Sequence, residues 1–337
     1  AMLTHRSIMA NLAGAEGLLR DLSLGRDVFL SMLPLSHAYE HSVGLFFPIH
    51  IRAEIYLLYR PEALSSAIIE VKPTIMTAVP RFYEMLRDRI YASYRHKGIL
   101  NRKMLDRAVY LGRKNVQKEP LTLLEKIENS YLNLTVRRHI NARLGGRLKA
   151  FVSGAAALDP NIGYFFLALN VRILQGYGQT EASPVIAANP PKKIKIETVG
   201  KLLVGVEAKL TKLGEICIRG DLVMKGYWND PVATKKKLRD GWLLTGDIGT
   251  FNPDGYISLT GRKKDIIINS GGDNISPVKI ETVLEAHSDI DQAMAYGNQH
   301  SYITAVIAPN QLLAKKLQYD QTEIANTISE AIKTANA

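Results

Sequence analysis

Short apolar runs alternate with amphipathic stretches in the first half of the chain, and this order constrains the fold more than any other feature. Residues 2–22 and 64–71 have the apolar spacing of helices. The stretches VFLSMLPLSH, TIMTAVP, KAFVSG and VRILQG have the pattern of buried strands that end in loops. Strands that are separated by helices favour a parallel sheet with helices on its faces. The sequence therefore predicts an α/β fold with parallel sheets covered by helices.

The pattern changes beyond residue 195 to short alternating runs with closely spaced glycines, which is typical of a small antiparallel β subdomain. The last part of the chain has a helix start at Ser276-Pro277, two strand-like runs and a final helix, which together predict a compact α+β unit. We therefore expect a partial α/β domain at 1–195, a β subdomain at 196–263 and a small α+β C-terminal domain at 264–337.

The chain of 337 residues has a net charge of +11, and one segment accounts for it. Residues 81–149 contain 17 Lys and Arg against 6 Asp and Glu, whereas the rest of the chain has 26 of each kind. Residues 81–145 also form a helical insertion by their spacing, with a capping box at Thr122 and Glu125. An apolar stripe repeats there at helical steps: Leu124, Ile127, Tyr131 and Leu134.

A basic helical segment with an apolar stripe has three interpretations. A solvated surface is the most ordinary one, and contact with an anionic membrane surface is the second. Nucleic acid is disfavoured, because the segment has helical spacing rather than an interleaving of aromatic residues and glycines. Apolar runs are far shorter than the ~20 residues that span a bilayer, and the start of the chain lacks a signal-peptide pattern. The single cysteine, Cys217, fits a small core residue in a reducing, cytoplasmic setting.

The stretch LQGYGQTEAS concentrates reactive side chains directly after a strand. In an α/β sheet, ligands collect at the carboxyl ends of the strands. Gly176 and Gly178 allow the backbone to bend and to approach a ligand closely. Tyr177 offers a ring to a flat base, Thr180 offers a hydroxyl to a phosphate, and Glu181 offers oxygen ligands to Mg²⁺. The alternative is a surface turn with incidental polar residues.

Three further glycine-containing stretches carry candidate ligand groups. SGAAAL at 153–158 follows another strand and is expected to form a wall of the same pocket, although such turns are common. In LLTGDIG, we expect Asp247 in a tight turn where its carboxylate accepts both hydroxyls of a ribose, with an Asx-turn as the alternative. In TGRKKDIIINSGGDNIS, Arg262 offers a fixed charge, and Gly271 and Gly272 let a thin ligand pass.

The motifs GYGQTE, SGAAAL, TGD, GRKKD and SGGDNISP occur in the order and spacing of the adenylate-forming acyl-activating enzymes, so the chain resembles that superfamily. Three further stretches make it similar to the long-chain fatty acyl-CoA synthetases in particular: LPLSHAYEH, VPRFYEMLRDRI and the long helical insertion before LGGRLKAFVSGAAAL. The likeness covers essentially the whole chain, and GYGQTE together with TGD and GRKKD is a highly specific combination.

The resemblance implies a ligase that activates a long-chain fatty acid with ATP and Mg²⁺ through an acyl-adenylate and pyrophosphate, and then forms a thioester with CoA. Tyr177 would stack on adenine, Thr180 would contact the α-phosphate, and Glu181 would bind Mg²⁺. Asp247 would bind the ribose hydroxyls, with Arg262 nearby. Further nucleotide contacts would come from the two glycine loops: Ser153, Gly154, Ala155, Gly176 and Gly178.

The same resemblance implies that the C-terminal domain rotates between the two half-reactions, with Lys264 as the hinge residue. Gly271 and Gly272 would line the channel for the pantetheine arm of CoA. His37 would be a catalytic residue near the substrate carboxylate, at the mouth of the acyl tunnel, and its alternative is a hydrogen-bonded loop histidine. Weaker candidates for a gate of that tunnel are Tyr39 and His41.

Two parts of the family pattern are not found in this sequence. The Ser/Thr/Gly-rich phosphate loop would precede AMLTHRS, and the catalytic lysine would follow IKTANA. We therefore expect an incomplete enzyme with a truncated C-terminal domain. The alternatives are a non-catalytic module that binds AMP, acyl-adenylate or CoA, and one half of a split synthetase that pairs with a separate N-terminal half. Self-association through exposed apolar surface is a further expectation.

Overall fold

The computed structural model describes most of the chain: residues 1–271, 274–285, 287, 289–298 and 300–336. The chain divides into two compact units: a first unit of residues 1–209, 217–244 and 251–258, and a second unit of residues 210–216, 245–250 and 259–337. The α/β fold class that the sequence predicts, with a small α+β part at the end, is confirmed.

A seven-stranded sheet forms the centre of the first unit, with the strand order β2-β1-β3-β4-β5-β6-β7. Its strands are β1 (Val28–Ser31), β2 (Glu54–Leu57), β3 (Ile75–Ala78), β4 (Ala150–Ser153), β5 (Ile173–Gly178), β6 (Val185–Ala188) and β7 (Lys201–Leu202). Strands β1 to β5 pair in parallel, whereas β6 and β7 pair antiparallel. Both β1 and β3 are buried along their whole length, which explains why their sequences do not alternate in polarity.

Helices cover both faces of this sheet. They are α1 (His5–Leu19), α2 (Phe47–His50), α3 (Leu64–Val71), α4 (Pro80–His96), α5 (Ile99–Val116), α6 (Leu123–Leu132), α7 (Arg138–Arg143) and α8 (Pro160–Ala168). Neighbouring strand residues belong to different apolar clusters: Leu30 and Met76 are in one, and Phe29 and Ile75 are in the other. Because successive strand residues point to opposite faces, each face of the sheet has its own core.

The predicted basic helical stretch forms α4 to α7, and a π-helical turn at Asn133–Arg137 joins α6 to α7. The predicted capping box is confirmed: the side chain of Thr122 accepts the N–H of Glu125 at 3.2 Å, and Glu125 accepts the N–H of Thr122 at 2.9 Å. Arg137 is buried and donates hydrogen bonds to three backbone carbonyls, those of Ala108, Asn129 and Ala168. A single guanidinium thus ties α5, α6 and α8 together.

A second sheet has the strand order β10-β11-β9-β8, with β12 beside β11. Its strands, and the helix that precedes β10, are β8 (Glu207–Leu210), β9 (Glu215–Arg219), α9 (Pro231–Lys237), β10 (Leu238–Arg239), β11 (Trp242–Phe251) and β12 (Ile257–Arg262). In β11, burial alternates between successive residues, so one face of the strand is buried at Thr245, Asp247 and Gly249.

The last part of the second unit contains β13 (Ile267–Ile268), β14 (Asn274–Ile275), α10 (Pro277–Glu285), β15 (Ile290–Tyr296), β16 (Thr304–Pro309), α11 (Gln311–Lys316) and α12 (Gln321–Asn336). The hairpin of β15 and β16 is antiparallel. Its core is a small apolar cluster that includes Leu284, Ile290, Ile328 and Ala331. The helix start predicted at Ser276-Pro277 is confirmed, because α10 begins at Pro277.

Candidate functional site

The parallel strands of the first unit end at a common edge of the sheet, and a buried carboxylate lies there. Glu40 is fully buried and accepts hydrogen bonds from the hydroxyls of Ser31 at 2.6 Å and Thr77 at 2.7 Å. Ser31 closes β1 and Thr77 lies near the end of β3, so Glu40 bridges two strands. Burial raises the pKa of the Glu40 carboxyl, and the two hydroxyl hydrogen bonds partly offset this rise.

The predicted tunnel residues lie on both sides of Glu40 in the sequence. Tyr39 is buried, donates its hydroxyl to the carbonyl of Val152 at 2.9 Å, and packs its ring against Gly154. A Cβ at position 154 would come within 2.8 Å of that ring, so only glycine fits there. His37 is exposed, and its Nδ1 accepts the N–H of Tyr39 at 3.2 Å. His41 is exposed as well, and its Nδ1 donates to the carbonyl of Leu35 at 2.9 Å.

The SGAAAL stretch begins at the last residue of β4. Ser153 lies between the Cα positions of Ala78 in β3 and Gln175 in β5, in the middle of the sheet edge. Two residues later, Ala155 has a φ of 69°, which is in the left-handed region that a residue with a side chain rarely adopts. A position with such backbone strain is common in functional loops and is consistent with a wall of a binding site.

Buried polar atoms without a hydrogen-bond partner lie in the SGAAAL and GYGQTE loops. Among the described residues, three buried side-chain atoms have no hydrogen-bond partner: Asn129 Oδ1, Ser153 Oγ and Gln179 Nε2. Leaving such an atom unpaired costs about 1–3 kcal/mol. Ser153 and Gln179 belong to the SGAAAL and GYGQTE motifs, so the two predicted loops present a donor and a hydroxyl that a bound polar ligand would satisfy. Sequence reasoning named Ser153 but missed Gln179 as a site residue.

The GYGQTE loop folds back onto β6. A Cβ on Gly178 would lie 1.9 Å from the carbonyl oxygen of Pro184, so the close approach of two backbones requires glycine. The N–H of Gln179 donates to that carbonyl at 2.8 Å. Tyr177 is only 8% exposed, so little of its ring is accessible for stacking in this conformation. Thr180 is exposed at the start of a 3₁₀ turn that continues to Ala182.

Glu181 is held by a residue that sequence reasoning missed. The hydroxyl of Tyr227 donates to Glu181 Oε1 at 2.7 Å. Burial, and then this hydrogen bond to Glu181, raise the pKa of Tyr227 to about 12, so the phenol stays neutral. The carboxylate of Glu181 is therefore oriented by a neutral group rather than by a cation. The stretch KGYWND around Tyr227 gave no local signal, because its partner lies 46 positions earlier in the chain.

In the second unit, Asp247 lies within a strand, so the predicted tight turn is wrong. It belongs to the ten-residue strand β11, and the turn-like glycine before it, Gly246, has a φ of 81° within that strand. Asp247 is 5% exposed, and its N–H donates to the hydroxyl of Thr245 at 3.1 Å. A glycine-rich stretch was mistaken for a turn because an irregular strand with a left-handed glycine has the same local composition.

The structure brings Arg262 and Asp247 together: Arg262 Nε lies 3.0 Å from Asp247 Oδ1. The next residue forms a second ion pair, because Lys263 Nζ lies 2.8 Å from Oε2 of the buried Glu215. Glu215 also accepts the N–H of Gly246 at 3.1 Å. The sequence analysis did not identify Glu215 as a site residue, because Glu215 lies close to the GRKKD motif only in the folded chain. Two consecutive cations of the GRKKD motif thus hold two carboxylates in the second unit.

The other predicted site residues of the second unit are Lys264, Gly271 and Gly272. Lys264 and Gly271 are exposed, and Gly272 lies outside the described residues. A cavity of about 620 Å³ in the second unit is lined mainly by apolar side chains, with Thr260, Lys263 and Ser276 as polar members. Within the described ranges, no group of three or more His, Cys, Asp or Glu could hold a metal ion by itself.

Comparisons with known families identify the chain. A family model described as AMP-binding enzyme matches residues 1–228, and one described as AMP-binding enzyme C-terminal domain matches residues 264–337. The long-chain-fatty-acid–CoA ligase FadD15 of Mycobacterium bovis is 31% identical over 90% of this chain and 51% of its own length. The peroxisomal long chain acyl-CoA synthetase 6 of Arabidopsis thaliana is 30% identical over 91% of this chain and 45% of its own length. The chain thus spans about half the length of the curated relatives it matches.

Solved structures share the fold. O-succinylbenzoate coenzyme A synthetase from Bacillus subtilis, in complex with AMP, matches with a TM-score of 0.67 and 20% identity over 92% of this chain and 56% of that chain. ATP-bound MatB from Rhodopseudomonas palustris matches with a TM-score of 0.68 and 24% identity over 92% of this chain and 55% of that chain. More than half of the chain matches the family model, so the chain belongs to the AMP-binding enzyme family, and its curated relatives include long-chain fatty acid–CoA ligases.

Proposed function

We propose that this chain takes part in the ATP-dependent ligation of a long-chain fatty acid to CoA through an acyl-adenylate. The observation that carries the proposal is the pair of unsatisfied buried atoms, Ser153 Oγ and Gln179 Nε2, in two loops at the carboxyl edge of a parallel sheet. Ligands of open α/β sheets bind at that edge. The function named for the curated relatives agrees with this site.

The nucleotide is proposed to bind the first unit through the SGAAAL and GYGQTE loops. Tyr177 would contact adenine, and its low exposure means that the base meets an edge of the ring or that the ring moves. Thr180, which is exposed, would donate its hydroxyl to the α-phosphate. The remaining contacts would come from the two glycine loops, in which Ala155 and Gly178 are exposed: Ser153, Gly154, Ala155, Gly176 and Gly178.

Glu181 is the proposed Mg²⁺ ligand. Mg²⁺ is usually bound through one or two carboxylates together with substrate phosphates and waters, so a single oriented carboxylate fits the donor set. When bound, the ion would neutralise charge that builds on the phosphate oxygens. Tyr227 would fix the direction of the carboxylate without competing for its charge, because the phenol is neutral.

In the second unit, Asp247 and Arg262 are the proposed ribose site. Asp247 accepts from Arg262, and a ribose with two hydroxyl donors would share or replace that contact. Lys264 is the proposed hinge of a mobile domain at 264–337, the same range that the C-terminal family model matches. Gly271 and Gly272 are the proposed lining of the path for the pantetheine arm of CoA.

The acyl chain is proposed to enter an apolar cavity of about 760 Å³ in the first unit. The cavity volume lies within the ~300–1,000 Å³ range of small-molecule sites. Met32 and Leu33 line it, and both lie just before the loop that carries His37. An acyl chain in the cavity would therefore place its carboxylate toward this loop, where the exposed His37 would orient it. The carboxylate oxygen would then bond to the α-phosphorus as pyrophosphate leaves.

A binding role without full catalysis is the second candidate function. It is supported by Ser153 Oγ and Gln179 Nε2, which a bound polar ligand would satisfy without any reaction. In this role the chain would bind AMP, acyl-adenylate or CoA, or would pair with a separately encoded half or with a second copy. A cytoplasmic location, peripheral to an anionic membrane that holds the fatty acid, is part of either proposal. Among the helices that the structure describes, none is long and apolar enough to cross a bilayer.

Two measurements separate these roles. ATP–pyrophosphate exchange with palmitate tests adenylation directly, and exchange by this chain alone would establish the reaction. AMP titration by calorimetry tests the site without catalysis, and we expect binding that a Tyr177→Ala or Ser153→Val change weakens. AMP binding without exchange would favour the binding role. Absence of both would contradict the proposed nucleotide site.

A further inference from the structure

Helix α1 holds the loop that carries Glu181 through one buried side chain. Asn11 lies in the middle of α1 and is 2% exposed. Its Nδ2 donates to the carbonyl of Ala182 at 3.1 Å and to that of Val185 at 2.6 Å. An asparagine amide has two N–H groups, so both are used on this loop. Ala182 directly follows Glu181, and Val185 begins β6. Asn11 therefore fixes the backbone just after the proposed Mg²⁺ ligand.

The formation of α1 does not explain an asparagine at this position. Asparagine is less favourable than alanine or leucine inside a helix, and burial of its amide costs free energy unless the amide is hydrogen-bonded. The face of α1 that carries Asn11 also carries the buried Ser7 and Gly14. A Cβ at Gly14 would lie 2.8 Å from the carbonyl oxygen of Val204, so α1 packs closely on this face. The close packing lets the short amide reach the two loop carbonyls.

The residues before α1 hold the segment that carries Tyr227. The N–H of Met2 donates to the carbonyl of Gly226 at 2.7 Å, and the N–H of Lys225 donates to the carbonyl of Met2 at 3.0 Å. Gly226 directly precedes Tyr227, whose hydroxyl donates to Glu181 Oε1 at 2.7 Å. Helix α1 and the residues before it thus contact both segments that this hydrogen bond joins. They set the distance between the carboxylate and the phenol.

We propose that Asn11 is a positioning residue, which holds the loop so that the Glu181 carboxylate points both to Tyr227 and to a nucleotide-bound Mg²⁺. The inference rests on the proposed function, in which Glu181 binds this ion. Mg²⁺ requires near-ideal octahedral geometry, so a ligand whose backbone shifts binds it less well. Loss of a group that orients a metal ligand typically weakens metal binding by about 10–100-fold. Asn11 acts through the backbone, so we expect an effect at the lower end of this range, about tenfold.

A pair of matched variants separates positioning from stability. Asn11→Leu keeps the approximate size of the side chain and leaves two loop carbonyls without their donor. Thr74→Val is the control, because Thr74 is also buried and its side chain also makes hydrogen bonds. Its hydroxyl accepts the N–H of Val28 at 2.9 Å and donates to Asp27 at 2.7 Å. Thr74 and Asp27 directly precede β3 and β1, at the edge of the sheet opposite to the SGAAAL and GYGQTE loops. We expect both variants to unfold at lower urea concentration than the wild type.

The first measurement is hydrogen exchange without nucleotide or metal. The amide of Met224 reports on the loop, because it donates to the carbonyl of Glu181 at 2.9 Å. In Asn11→Leu, this amide should exchange at least about tenfold faster than in the wild type, relative to the amide of Phe151 in β4, because the loop opens locally. In Thr74→Val, the ratio of the two exchange rates should stay at the wild-type value. An unchanged ratio in Asn11→Leu would overturn the inference, because the variant would then affect stability alone.

The second measurement is the effect of Mg²⁺ on ATP affinity, by calorimetry. The wild type and Thr74→Val should bind ATP at least about tenfold more tightly with Mg²⁺, whereas Asn11→Leu should lose most of this enhancement and keep its affinity for ATP without Mg²⁺. A full enhancement in Asn11→Leu would overturn the inference and leave the proposed function intact. No enhancement in the wild type would contradict the proposed role of Glu181 and, with it, the inference.

A milder variant covers the case in which Asn11→Leu does not fold, which urea unfolding would show. Asn11→Ser keeps a hydroxyl, which has one proton and can donate to only one of the two carbonyls. It should show a smaller Mg²⁺ enhancement than the wild type and faster exchange at Met224. Wild-type values in both measurements would overturn the inference.

Discussion

The two units hold the carboxylates of the candidate site in different ways. In the first unit, Glu40 and Glu181 accept hydrogen bonds from neutral hydroxyls: Ser31 and Thr77 bind Glu40, and Tyr227 binds Glu181. In the second unit, Asp247 and Glu215 are paired with the cations Arg262 and Lys263. A hydroxyl orients a carboxylate without cancelling its charge, whereas a cation compensates it. Glu181 therefore keeps its negative charge available to a ligand, whereas the carboxylates of Asp247 and Glu215 fix a strand and the GRKKD segment.

The largest effect is expected at Glu40, where the carboxylate is fully buried. Glu40→Ala would leave the hydroxyls of Ser31 and Thr77 without their acceptor and would open a cavity. We expect a loss of about 3–5 kcal/mol in the free energy of unfolding, measured in urea. Glu84→Ala removes the partly exposed partner of the exposed Arg81 and is the control, with an expected change within about 0.5 kcal/mol. Similar losses in both variants would show that Glu40 does not bridge the strands.

The pH dependence of stability tests the same carboxyl group. Burial raises its pKa in the folded protein above the ordinary value of 4.5, so the folded state holds this proton more tightly than the unfolded chain does. The resulting stabilisation is fully present below pH 4.5 and is lost as the pH rises through the raised pKa. The unfolding free energy of the wild type, taken relative to Glu40→Gln, should therefore fall with rising pH. A constant or rising difference would contradict this assignment.

An intermediate effect is expected at Glu215 in the second unit. Glu215→Gln removes the ion pair with Lys263, whose side chain is 49% exposed and turns to solvent when its partner is lost. We expect a loss of about 1–2 kcal/mol in unfolding free energy at low salt, and a smaller loss in 1 M NaCl because salt screens the pair. A loss that salt does not change would mean that Glu215 acts like the hydroxyl-held carboxylates of the first unit rather than through an ion pair.

The smallest effect on stability is expected from Tyr227→Phe. This change removes one hydrogen bond between neutral and charged partners and keeps the ring. We expect a loss of only about 1 kcal/mol in unfolding free energy, because both side chains are partly exposed and water replaces the lost hydrogen bond; salt should not alter this loss. It should also leave the negative charge of Glu181 in place. A clearly salt-dependent loss would mean that Tyr227 acts through charge, which the neutral phenol excludes.

Local signals in the sequence predicted those parts of the fold that local interactions determine. The capping box of Thr122 and Glu125 and the helix at Leu64–Val71 were predicted and are confirmed, because each depends on residues within one or two turns. The α/β class followed in the same way from the order of apolar runs. Asp247 was misplaced in a turn because a left-handed glycine is compatible with an irregular strand as well as with a turn.

The site was less predictable because its contacts join residues that are far apart in the sequence. Tyr227 lies 46 positions from Glu181, and Lys263 lies 48 positions from Glu215. No periodicity encodes such pairs. The stripe of Leu124 and Ile127 was visible as a pattern, but the pattern does not say that both side chains are exposed. The roles of the motif residues came from the family resemblance and stay predictions until ligand binding is measured.

The most direct test of this account is the effect of Mg²⁺ on ATP affinity, measured by calorimetry in three proteins. If Glu181 keeps its charge for a nucleotide-bound ion, Mg²⁺ should strengthen ATP binding by about tenfold or more in the wild type and in Glu215→Gln. Glu181→Gln should lose this enhancement while keeping its affinity for ATP without Mg²⁺. An undiminished Mg²⁺ effect in Glu181→Gln, or its loss in Glu215→Gln alone, would contradict the account.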